Sequence, residues 1–114
     1  MKTRADLSFT EGVDGRLTNN WNPGRPLIWN DGFALGERYA EEVIELCRSS
    51  EWGAVTAIRY ASSSLNWRNT GGGPELGFME VISKLALIGM RAVLSGEPLP
   101  DPSDQWTEEG ATDD

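Results

Sequence analysis

The residues best placed to do chemistry in this sequence gather around a glycine run. Gly71-Gly72-Gly73 leads straight into Pro74, and proline is favoured in the first turn of a helix. Backbone N–H groups at a helix start lack intrahelical partners and, with the helix dipole, attract an anion. Arg68 lies just upstream, Arg59 comes within reach if its own helix packs alongside, and Trp67 offers a flat ring for a base or other planar group. Arg59, Trp67, Arg68, Gly71, Gly72 and Gly73 therefore form a candidate site for a phosphate, a nucleotide or a carboxylate. The loop lacks the Lys-[Ser/Thr] of a phosphate-binding loop and follows no clear strand. A glycine hinge before a proline-started helix accounts for the same residues without a ligand.

A second group suits recognition of a protein. Pro98, Pro100 and Pro102 alternate and favour an extended spacer, beyond which Trp106 stands among Asp104, Glu108 and Glu109. An indole delivered this way fills an apolar pocket while the carboxylates meet a basic rim. A merely solubilising acidic tail has the same composition.

Covalent and acid–base catalysis have little to work with. The chain has no histidine, which removes the commonest general base and the usual zinc ligand, and its one cysteine excludes an internal disulfide or a cysteine-cluster metal site. Cys47 is expected on the buried side of a helix, as a small core residue. Ser62, Ser63 and Ser64 sit in neither a Gly-x-Ser-x-Gly nor a Ser-x-x-Lys pattern. Glu37, Glu41 and Glu45 form a row along one helix face, the spacing of a solvated surface more than of a metal site. The expectation is no enzyme, no metal and no cofactor.

The charge is unevenly placed. Formal net charge is −8, but seven of the 18 acids lie in residues 97–114, where there is no base. Residues 1–96 are left with 11 acids against 10 bases. A near-neutral body with an acidic extension has no basic stripe for direct nucleic-acid binding, and it fits a protein partner with a basic surface.

The elements that must position these groups follow from periodicity and turn chemistry. Leu7-Ser8-Phe9-Thr10 alternates, and Asp14-Gly15 is a tight-turn pair, so a short β-hairpin is expected over about 7–18. The stretch Asn19 to Pro26 is rich in turn formers, and the apolar triplet Leu27-Ile28-Trp29 reads as its anchor to the core. A helix over about 33–49 is expected next, capped by Asn30 or Asp31, with Ala40, Val43 and Leu46 inward. A weaker helix over 52–65 repeats Ala54, Ile58, Ala61 and Leu65. The third, over 74–95, is the most apolar segment, with Gly77 and Gly89 available for close helix contacts and Gly96 to end it. A helix apolar on nearly every side is either central to its domain or shared between subunits.

The fold expected is α+β or mostly α: three helices with an N-terminal hairpin, residues 1–96 as one compact domain and residues 97–114 as a disordered acidic tail. No segment reads as a membrane span or signal peptide, so a soluble cytoplasmic protein is expected. The functional expectation is a small binding protein that inhibits or neutralises a macromolecular partner, of the inhibitor, antitoxin, immunity or phage-antagonist kind. The alternatives are capture of a small anion at Gly71–Gly73 and a homo-oligomeric component, a homodimer joined through the third helix.

Overall fold

In the computed structural model, residues 3–14, 16–64 and 72–101 are described. The chain starts with a single 3-10 turn, Arg4–Asp6, then a two-stranded antiparallel hairpin of β1 (Glu11–Val13) and β2 (Arg16–Asn19). Asp14 adopts φ 54°, the left-handed backbone a two-residue turn between Val13 and Arg16 demands, which is why Asp-Gly marks the site in the sequence. The hairpin is shorter than expected. Leu7 and Phe9 precede it as irregular chain and are both buried, so their alternation reflects insertion into the core and not a strand.

Three helices follow: α1 (Trp29–Ser49), α2 (Glu51–Ser64) and α3 (Gly73–Leu94). The start of α1 corrects the sequence reading. The amides of Asp31 and Gly32 both donate to the Ile28 carbonyl, at 3.1 and 3.2 Å, so Ile28 occupies the cap and Asn30 and Asp31 lie inside the first turn. Asp31 still acts favourably there through the helix dipole. Ser50 joins α1 to α2, and its hydroxyl accepts from the Gly53 amide at 2.9 Å, an N-cap bond. At its other end α3 closes with the bonding that glycine after a C-cap permits. Gly96, at φ +105°, donates to Val93, and Glu97 donates to Ala92.

The α1–α3 contact organises the core. Gly32 and Gly36 on α1 face Gly73 and Gly77 on α3, each pair four residues apart and so on one helix face. A Cβ on Gly36 would lie 2.7 Å from the Phe78 amide nitrogen and still closer to the Pro74 carbonyl. A Cβ on Gly77 would meet the Phe33 carbonyl. Backbone thus packs on backbone. Below this seam Phe9, Trp21, Tyr39 and Phe78 form a cluster of tilted and edge-on rings with centroids 5.0–5.9 Å apart. Val43, Leu46, Ala54, Ala57 and Ala61 extend the core between α1 and α2. Cys47 is exposed, not buried as its position on the predicted helix implied.

Candidate functional site

The loop between β2 and α1 is rich in turn residues, yet its first half is held at four positions. Trp21 is buried in the aromatic cluster. Asn22 donates its amide to the Phe9 carbonyl at 2.6 Å, and Gly24 donates to the Tyr39 hydroxyl at 2.9 Å. Arg25 reaches Glu75 with both terminal nitrogens, at 2.8 and 2.6 Å, while the Trp21 indole N–H donates to the same carboxylate at 2.8 Å. Glu75 is 0% exposed, in the first turn of α3, and the Arg25 side chain is 45% exposed.

Electrostatics explain why a carboxylate is tolerated there. Burial by itself pushes the Glu75 carboxyl up, but the bonds from Arg25 and Trp21 favour the charged form and outweigh it. The net effect holds Glu75 below its ordinary value of 4.5. The Glu75 hydrogen bond raises Arg25 in turn, against a smaller loss from burial. Sequence reasoning did not find this network, because its partners lie 50 and 54 positions apart. A faint signal existed: Glu75 is a lone acid at the start of the most apolar helix.

With the loop fixed, its next residues have nowhere to go but outward. Leu27 is 104% exposed, Ile28 is also exposed, and Trp29 is half-exposed with its ring 5.3 Å from that of Phe33. The expectation that this triplet anchors the loop to the core is therefore overturned. The anchors are Trp21, Gly24 and Arg25, and the triplet is presented to solvent. Together the three side chains expose roughly 400 Å² of apolar surface, within the size range of functional patches on small proteins.

Further along α3, Leu87, Ile88, Met90 and Leu94 are exposed at different positions round the helix. A third feature is a shallow open depression of about 520 Å³ lined by Ser8, Leu35, Arg38, Tyr39, Glu41, Glu42 and Glu45. Two of its three carboxylates are engaged locally. Glu42 accepts the Ser8 amide at 2.8 Å, and Glu45 pairs with Arg48 at 2.9 Å. Among the described residues no group of three or more acidic or cysteine side chains is arranged to hold a metal ion.

Of the residues singled out in the sequence for an anion, Gly72 and Gly73 are both buried at the start of α3, Gly73 against α1. Glu75 already places a carboxylate in that first turn, and Arg59 is exposed on α2. Trp67, Arg68 and Gly71 lie outside the described residues, as do Asp104, Trp106, Glu108 and Glu109. No helix among the described residues is long and apolar enough to cross a membrane. In comparisons with known proteins, no protein family, curated protein or solved structure matches the chain.

Proposed function

We propose that the chain is a non-enzymatic binding protein that inhibits or neutralises a macromolecular partner, docking through Leu27, Ile28 and Trp29. Inhibitor, antitoxin, immunity-factor and phage-antagonist roles all belong to this class. The observation behind the reading is the combination of full exposure at Leu27 with a loop pinned at Trp21, Asn22, Gly24 and Arg25. Large apolar side chains on an ordered loop lose little conformational freedom on binding, so their burial converts efficiently into affinity. Leucine, isoleucine and tryptophan together supply an apolar plug of the kind that fills a partner pocket. The seven acids of residues 97–114 suit a partner whose pocket has a basic rim.

The test compares proteins captured from cells by the tagged full chain with those captured by a Leu27→Ser, Ile28→Ser double variant. Both positions are exposed, so the variant keeps its fold. The reading expects at least one protein bound by the wild-type chain and lost with the variant, its binding weakening as salt rises. Identical captures from the two chains refute it.

A further inference from the structure

We infer that the partner is a serine endopeptidase with an apolar specificity pocket, whose active site the loop occupies as a substrate-like inhibitor with Leu27 in the pocket. This rests on the proposed docking through Leu27, Ile28 and Trp29, and it names the kind of protein that is docked.

The shape of the loop makes the first argument. Among the described residues Leu27 is the most exposed large apolar side chain, at 104%. The chain bends at Leu27 and Ile28, so Leu27 stands at the crest of a convex bow. Pro26 has a fixed backbone φ and keeps the residue before it out of the helical region, which holds the approach through Arg25 extended. Ile28 is extended too, with φ −90° and ψ 125°. Among the described residues the Leu27 amide and carbonyl have no hydrogen-bond partner. Such a segment offers what an endopeptidase reads in a substrate: one projecting side chain for a pocket, with free backbone groups beside it for strand-like pairing.

Anchorage on both sides of the Leu27–Ile28 bond separates an inhibitor from a substrate. Upstream, Gly24 donates to the Tyr39 hydroxyl on α1, and Arg25 holds Glu75 on α3 through two bonds. Downstream, the Ile28 carbonyl accepts from the Asp31 and Gly32 amides, and the Trp29 ring lies 5.3 Å from that of Phe33. The glycine seam locks α1 to α3, so both anchors belong to one rigid body.

That anchorage decides the outcome of attack. The enzyme's serine oxygen bonds to the Leu27 carbonyl carbon and the Leu27–Ile28 bond breaks. Leu27 is left as an ester on the serine and Ile28 as a free amine, the serine proton having passed to the amine through the enzyme's general base. Neither new end diffuses away, because each keeps its own tether. The held amine attacks the ester in competition with water, the peptide bond re-forms and the proton returns to the serine. All the chemistry is the enzyme's, so a chain without histidine can take part in it. Leucine also selects the enzyme: an apolar slot accepts it, whereas a pocket with an acid at its base, as in trypsin, favours lysine or arginine.

The experiment measures the activity of chymotrypsin, subtilisin and trypsin against the full chain at up to about 100 μM, and against Leu27→Lys and Leu27→Ser variants. Leu27 is fully exposed, so both variants keep the fold, which circular dichroism verifies. The wild type should inhibit chymotrypsin or subtilisin competitively, with a constant of about 1 μM or below. Leu27→Ser should weaken this by about tenfold or more, and Leu27→Lys should transfer the inhibition to trypsin. Absence of inhibition by the wild type overturns the inference. So does inhibition that ignores the identity of residue 27, or rapid cutting at Leu27–Ile28 with full recovery of activity, which marks a plain substrate. If none of these enzymes is inhibited while another protein is captured in a Leu27-dependent way, this inference falls and the docking reading stands. Equal captures by the wild type and the Leu27→Ser, Ile28→Ser variant refute the docking itself.

Discussion

Replacing Glu75 with glutamine removes one charge from the core and leaves the shape of the side chain nearly intact. What is lost is the charge assistance in the two bonds from Arg25, at 2.8 and 2.6 Å, and in the one from the Trp21 indole, at 2.8 Å. Hydrogen bonds to a charged group contribute roughly 1.5–3 kcal/mol each. Two effects reduce the sum: the amide oxygen keeps one of the bonds, and Arg25, 45% exposed, rehydrates when released. The expected loss at pH 7 is therefore about 2 kcal/mol, or about 8 °C in Tm for a chain of this length. The pH dependence carries the stronger test. The folded-state value of Glu75 lies below its ordinary 4.5, so its stabilisation is complete above that pH and disappears as pH falls through the lowered value. The gap between wild type and Glu75→Gln should thus be full at pH 7 and shrink progressively below about pH 4.5. Urea unfolding followed by tryptophan emission at pH 7, 5, 4 and 3 measures it directly. Equal stability of the two proteins at pH 7, or a gap that persists undiminished at pH 3, refutes the argument.

Two other predictions concern packing and exposure. Gly36→Ala should cost about 3 kcal/mol or more by thermal unfolding, because its Cβ meets Pro74 and Phe78 backbone that cannot yield without parting α1 from α3. Cys47, exposed at the end of α1, should react with a thiol reagent in the native protein as fast as after unfolding, to within about tenfold. Strong protection would show a buried thiol.

Much of the fold was legible because its signals are local. Asp14-Gly15 marks the hairpin turn, and Pro74 and Gly96 bracket α3. The start of α1 was not legible, since Asn30 and Asp31 are good caps that here fall inside the first turn, beyond Ile28. Apolar residues look alike in sequence whether they enter the core or leave it. Leu27-Ile28-Trp29 has the composition of an anchor and is a protrusion, while Leu7 and Phe9 have the alternation of a strand and are core. Which way such residues face depends on the bonds from Arg25 to Glu75 and from Gly24 to Tyr39, made between distant parts of the chain. The close glycine seam was half visible. Gly77 was marked for helix contact, but its counterparts Gly32 and Gly36 gain meaning only once α1 is known to lie against α3.

On the proposed function, a pinned loop presents Leu27, Ile28 and Trp29 to a macromolecular partner. Quantitative capture by the wild-type chain and by the Leu27→Ser, Ile28→Ser variant, matched for thermal stability, tests it most directly. A specific protein should be recovered by the first and depleted at least tenfold with the second. Recovery of the same proteins in the same amounts by both would contradict it.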